Sequence, residues 1–158
     1  KIKKNTLNTN KIVKDVLNEL YLDLKDREIC WNIENLPDIK ADSFMIKQVF
    51  FNLISNALKF TRSKTRAIID IRCVSQNNNE IVFCIQDNGI GFDSQYSNKL
   101  YNVFQRLHSS EEFEGTGIGL ANVKRIVLRH GGKVWAESKQ FEWAKFFFSL
   151  PFEEGYQD

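Results

Sequence analysis

The chain has 158 residues, 42% apolar and 27% charged, which is ordinary usage for one globular domain and unlike that of a disordered segment. Lys plus Arg number 22 against 20 for Asp plus Glu, leaving +2; so small an excess argues against nucleic-acid binding, which relies on cations to displace phosphate counterions. No apolar run approaches the roughly 20 residues that span a bilayer, and no signal-peptide pattern opens the sequence. The expectation is a single cytoplasmic domain over residues 1–158 that makes no membrane contact of its own.

In chain order, the stretch to about Leu24 carries Ile12, Val13, Val16, Leu17 and Leu20 at a helical period. Ile29 to Ile33 reads as a short strand, closed by a turn at Pro37. Asp42 or Ser43 caps a strong helix running to about Thr61. Ala67 to Val74 and Ile81 to Gln86 are strands rich in β-branched residues, joined by the polar hairpin turn Gln76-Asn77-Asn78-Asn79. Asp87 to Gly91 is a glycine-rich turn, and Lys99 to Leu107 predicts a short helix. A polar loop leads to a second glycine cluster, Gly115, Gly117 and Gly119, which opens a helix through Arg129 that Gly131 and Gly132 stop. Lys133 to Glu137 and Lys145 to Leu150 close the domain as strands. This order predicts an α+β fold, a two-layer α/β sandwich with a largely antiparallel sheet.

The cysteines carry little chemistry. Cys30, Cys73 and Cys84 form no CxxC pair, and His108 and His130 complete no metal-ligand pattern. Cys73 and Cys84 fall on neighbouring strands and read as small buried residues in a reducing compartment.

Three segments point to a ligand. On the helix from Ser43, Ile46, Val49, Phe50, Leu53 and Ala57 face the core, while Asn52, Asn56 and Lys59 share a narrow stripe at its edge. Asn oxygen is a hard cation ligand and Lys a point charge, so the stripe suits a hydrated cation and a polyphosphate. The competing reading is a solvated polar face, yet two Asn on one stripe weaken a helix without evident return. Asp87-Asn88-Gly89-Ile90-Gly91-Phe92 follows a strand: its carboxylate suits a ligand amino group, and its glycines allow close backbone approach, although Asp-Asn-Gly is also an ordinary turn. Gly115-Thr116-Gly117-Ile118-Gly119-Leu120 opens a helix, where backbone N–H groups and the macrodipole favour an anion. It matches neither the dinucleotide fingerprint nor the common phosphate loop.

Taken in order, these segments resemble the catalytic domain of sensor histidine kinases. Asn52 to Thr61 (Asn-Leu-Ile-Ser-Asn-Ala-Leu-Lys-Phe-Thr) resembles the N box, Asp87-x-Gly89-x-Gly91 the first glycine box, Phe104-Gln105-Arg106 the F box, and Gly115 to Ile126 the second glycine box. The run Phe104 to Gly132 is most similar to phytochrome-type kinases. The resemblance covers nearly the whole chain. It implies the ATP-binding fold shared with gyrase, the mismatch-repair ATPases and the heat-shock chaperone, in which a mixed sheet is backed by three helices and a mobile lid covers the nucleotide.

By that resemblance, Asp87 binds the adenine amino group, Gly89 and Gly91 shape the pocket, and Phe60 packs near the base. Asn56 coordinates magnesium, Asn52 and Lys59 help place the phosphates, and Arg106 reaches the terminal phosphate during transfer. The segment Gly115 to Leu120, with Thr116, Gly117, Ile118 and Gly119, cradles phosphates, and His108 to Glu114 form the lid. The cofactors implied are ATP and magnesium; the partners are an upstream dimerisation domain bearing the phosphoacceptor histidine, and then a response regulator.

Hydrolytic relatives carry a glutamate where Asn52 stands, and an amide takes no proton at neutral pH, which favours transfer over hydrolysis. His108 and His130 lie outside any phosphoacceptor context, with His130 at a helix end where a cation suits the dipole. One departure from the family is Ser138 to Phe147, which lacks the usual Gly-x-Gly-Thr. The alternatives are an ATP-hydrolysing or serine-kinase relative on the same fold and a degenerate docking module.

Overall fold

Strand pairing sets the frame on which the candidate residues are mounted. The computed structural model describes residues 1–95, 100–101 and 116–152, the first three residues of the last segment by backbone alone. The elements are β1 (Asn5–Leu7), α1 (Thr9–Glu19), α2 (Tyr21–Leu24), β2 (Glu28–Ile33), β3 (Ile39–Ala41), α3 (Ser43–Phe60), β4 (Arg66–Gln76), β5 (Glu80–Asp87), α4 (Thr116–Arg129), β6 (Val134–Lys139) and β7 (Trp143–Pro151). The main sheet has five strands in the order β2-β4-β5-β7-β6. β2 and β4 run parallel and the other neighbours antiparallel, so the sheet is mixed and mostly antiparallel, as expected. A parallel pair needs a long crossover, here supplied by β3 and α3.

Local chemistry explains the element ends. Asn8 caps α1 by accepting from the Lys11 N–H at 3.1 Å, and Asp42 caps α3 by accepting from Met45 N–H at 3.1 Å. The β4–β5 turn is pinned by Asn77, whose Oδ1 accepts from the Asn79 and Glu80 N–H groups. Helix α4 ends in a Schellman arrangement. Gly131 takes φ +83° and donates to Leu128, and Gly132 N–H reaches back to the Val127 carbonyl.

The apolar stripes of α1, α3 and α4 cover one face of the sheet. Ile12, Val13 and Val16, then Val49, Phe50 and Leu53, then Val123, Ile126 and Val127 join Ile69, Ile71, Phe83, Ile85, Phe146 and Phe148 in one buried cluster. Phe50 is its keystone, meeting Phe83 and Phe148 edge-on with ring centroids 5.9 and 5.4 Å apart. Successive strand residues alternate faces, so Phe147 points the other way and stacks on Trp135 at 5.2 Å.

The structure departs from the sequence expectations in three places. The first helix breaks at Leu20 into α1 and the single-turn α2. Strands β1 and β3 pair in a small second sheet that was not foreseen, because three residues are too few to display a period of two. His130 stands at a helix end as expected, but it is buried there and held by hydrogen bonds. It is 3% exposed, its Nε2 accepts from the Asp42 N–H at 3.1 Å, and its Nδ1 lies 2.9 Å from the Ile126 carbonyl, so the ring joins the ends of α3 and α4. The register sets Cys73 opposite Phe83 and Cys84 opposite Arg72, and all three cysteines are free thiols. The helix expected over Lys99 to Leu107 lies outside the described residues except for Leu100 and Tyr101, both buried.

Because Phe50 is fully buried between two other rings, Phe50→Ala is expected to cost about 3–5 kcal/mol. Urea unfolding would show this as a lowered midpoint at unchanged m-value.

Candidate functional site

Helix α3 serves as the spine of the site. Its stripe of Asn52, Asn56 and Lys59 forms as predicted, but the three residues meet different surroundings. Asn56 is 3% exposed, and its Oδ1 and Nδ2 find no hydrogen-bond partner among the described residues. Leaving a buried amide unpaired costs about 1–3 kcal/mol, so a ligand, ion or water that satisfied it would be bound favourably. The amide oxygen is a hard donor of the kind a hydrated divalent cation takes. Asn52, half-buried, faces the first turn of α4, and a Cβ built on Gly119 would lie 3.7 Å from its Oδ1. Lys59 lines a cleft of about 170 Å³ with Asp23, Arg27, Ser55, Leu58 and Arg62.

The turn after β5 packs on the C-terminal end of the same helix. Ile90 N–H donates to the Phe60 carbonyl at 3.2 Å. A side chain at Gly89 would collide with that carbonyl, so only glycine fits. Gly91 takes φ +64°, and a Cβ there would come within 2.6 Å of Ser138 Oγ. Asp87, 2% exposed, accepts the Gly89 N–H at 2.8 Å. Burial pushes its carboxyl up to about 7, and the Gly89 N–H offsets only part of that. A carboxylate brought from water to this depth needs a further donor, which an amino group supplies.

Other residues hold the turn from outside. Asn88 pins it to β4 by accepting from Ile68 N–H at 2.9 Å and donating to the Arg66 carbonyl at 3.2 Å. The β6–β7 hairpin grips its far side. Ser138 Oγ accepts from Phe92 N–H at 2.9 Å and donates to the Trp143 carbonyl at 2.8 Å, while Phe141 N–H donates to the Ile90 carbonyl at 2.5 Å. The segment that departs from the family pattern therefore closes a working hairpin, with Phe141 at φ +69° and exposed where glycine is the usual choice. Asn88 and Ser138 were not singled out as site residues, because a side chain's bond to a distant backbone group leaves no local pattern.

Two candidate residues, Phe60 and Leu120, turn their side chains into the core. Phe60 packs in the core against Phe146 at 6.3 Å, and it is its carbonyl that meets the turn. Leu120 is 3% exposed and joins the same core. Thr116, Gly117 and Ile118 form the first turn of α4 in backbone terms. Arg106, Gly115 and the lid from His108 to Glu114 lie outside the described residues. Asn52 and Phe60 are eight residues apart, about 12 Å along the helix. One helix thus holds the Asp87 turn at one end and the start of α4 at the other, with the Asn56 amide, unpaired among the described residues, between them.

Replacing Asn56 with leucine removes the unpaired polar atoms while keeping the branched shape and heavy-atom count of the side chain. Asn56→Leu is expected to raise the stability of the ligand-free chain by about 1–3 kcal/mol while abolishing ligand binding, a trade-off measurable by parallel thermal and calorimetric titrations.

Comparison with known proteins agrees with this arrangement. A family model described as "Histidine kinase-, DNA gyrase B-, and HSP90-like ATPase" matches residues 41–154. Phytochrome-like protein Cph1 of Synechocystis is 39% identical over 143 residues, covering 88% of this chain and 19% of that protein. The chain thus spans about one fifth of that relative's length. Among solved structures, the mycobacterial sensor histidine kinase MprB aligns with a TM-score of 0.79 at 22% identity, covering 93% of this chain and 97% of that one. Full-length ShkA, solved in complex with AMPPNP, aligns with a TM-score of 0.77 at 24% identity, covering 96% of this chain and 32% of that one. At these identities the structures show the shared fold. The match over residues 41–154 shows the family, and the chain belongs to the histidine kinase-, DNA gyrase B- and HSP90-like ATPases as an ATP-binding domain of the sensor-histidine-kinase kind.

Proposed function

We propose that this domain binds magnesium-ATP and delivers the γ-phosphoryl group to a histidine on a separate dimerisation domain, in the cytoplasm, with a response regulator as the later acceptor. The observation that carries the reading is the buried Asn56 amide, which has no partner among the described residues, set between an acidic glycine turn and the start of α4. The nucleotide complex of ShkA, similar over 96% of this chain, supports the ATP assignment.

The chain's own residues divide the work. Asp87 in its ionised form accepts from the adenine amino group, and Gly89 and Gly91 let the turn that carries it pack closely on the Phe60 carbonyl and the β6–β7 hairpin. Asn56 turns its oxygen to magnesium, with Asn52 and Lys59 at the phosphates and backbone N–H groups of Gly115 to Leu120 around them. Magnesium bound there would neutralise phosphate charge. Arg106 meets the terminal phosphate. In the transfer the attacking imidazole nitrogen forms a bond to the γ-phosphorus as the bond to the β–γ bridging oxygen breaks, and ADP leaves. Asn52 offers no base to activate water, so the γ-phosphoryl group awaits a protein acceptor.

Two outcomes are expected. Calorimetric titration should show ATP binding that strengthens with magnesium, and with a histidine-bearing dimerisation domain added the chain should form phosphohistidine while releasing little free phosphate; steady phosphate release without acceptor would point to a hydrolase instead. The second outcome concerns pH. In the ligand-free chain the Asp87 carboxyl sits near 7, above the ordinary 3.8, so ionisation there erodes stability as pH rises from about 4 to 7. Adenine needs the ionised form, so ATP affinity should fall by up to about tenfold per pH unit below about 7. Asp87→Asn should remove this dependence and weaken binding about ten- to a hundredfold; a flat profile in the unaltered chain would exclude Asp87 as the acceptor.

A further inference from the structure

Arg27 belongs to none of the motifs, yet its guanidinium makes three hydrogen bonds to the end of α3. It sits in the connection from α2 to β2 and reaches the last turn of α3. Its Nη1 donates to the Leu58 carbonyl at 2.8 Å, and its Nη2 donates to the Thr61 carbonyl at 2.9 Å and to Thr61 Oγ1 at 3.0 Å. The Thr61 hydroxyl, fully buried, donates in turn to the Ala57 carbonyl at 2.8 Å. The carbonyls at a helix C-terminus lack intrahelical donors and carry the negative end of the dipole, so a planar guanidinium satisfies two of them and complements their charge. Burial, and second the neighbouring Arg62 guanidinium, work against the Arg27 charge, so the side chain holds this position at a cost.

Between the two carbonyls that Arg27 holds lies that of Phe60, the one that accepts Ile90 N–H and forbids a side chain at Gly89. Gly89 N–H in turn orients Asp87 Oδ1. A single turn of helix is therefore held by Arg27 on one side and holds the Asp87 turn on the other. We propose that Arg27 is a positioning residue for base recognition, acting through the α3 C-terminus to set where the Asp87 carboxylate stands. This rests on the nucleotide reading above.

The test is the ratio of ATP to GTP affinity, since GTP presents a carbonyl where ATP presents the amino group that Asp87 accepts. Both are measured by calorimetry or competition on the unaltered chain, Arg27→Gln and Arg27→Lys. Arg27→Gln is expected to lower ATP affinity about tenfold while leaving GTP affinity within about twofold, so that discrimination falls about tenfold. Arg27→Lys, which keeps the charge at the helix end but loses the fork, should fall between the two. An unchanged ratio, or equal losses for both nucleotides in step with a lowered Tm, would overturn the proposal and leave Arg27 a purely structural cap. Should Arg27→Gln fail to fold, Thr61→Val removes one of the guanidinium's acceptors and is judged by the same ratio. Absence of ATP binding by the unaltered chain would instead overturn the nucleotide reading itself.

Discussion

The contact between the last turn of α3 and the turn after β5 governs the geometry of the rest of the site. It is made backbone to backbone, through the Phe60 carbonyl and the Ile90 N–H, and it closes only because residue 89 has no side chain. The helix is fixed from the sheet side by Phe50, wedged between Phe83 and Phe148. The turn is fixed from outside by Asn88 on β4 and by the β6–β7 hairpin. Ile90 is held through both of its backbone polar groups, its N–H by α3 and its carbonyl by Phe141. A carboxylate on so constrained a segment is aimed before any ligand arrives, and preorganisation of this sort lowers the entropic cost of binding.

The fold pays for this readiness with two buried polar groups. Asp87 stands in a hydrophobic setting that pushes its carboxyl up to about 7, and Asn56 keeps both ends of its amide without a partner among the described residues. Elsewhere buried polar groups are satisfied: Thr9 donates to the Pro37 carbonyl, Ser149 accepts from Lys133, and His130 is bonded at both ring nitrogens. The proposed site lies where this contrast falls, as expected when the same residues cannot serve both an apolar core and a polar substrate.

Conformational freedom in the hairpin shows how a departure from a family motif can be absorbed. Phe141 occupies a left-handed backbone position that glycine fills more readily, yet the hydrogen bonds of Ser138 and of the Phe141 peptide remain in place. The strain of one such residue is about 1–3 kcal/mol and is offset by the surrounding ladder of β6 and β7. What the departure changes is the surface, where an aromatic ring is 70% exposed beside the turn.

Much of this was legible in the sequence. The helical stripe of α3, the β4–β5 hairpin, the glycine stop after α4 and the α+β class follow from period, turn chemistry and composition, because these are set by residues close together in the chain. The candidate ligands Asn52, Asn56 and Asp87 were visible for the same reason: amides on one stripe, or a carboxylate before glycines, form local patterns. What only the tertiary structure decided is how those residues are surrounded. That Asn56 is buried without a partner among the described residues, that Phe60 meets the turn through its carbonyl, that His130 ties two helix ends, and that Arg27 caps a helix 31 residues further along all depend on atoms brought together from distant parts of the chain. Burial and hydrogen-bond satisfaction are properties of a neighbourhood in space. The sequence determines which groups are available; folding decides which of them are left to meet a ligand.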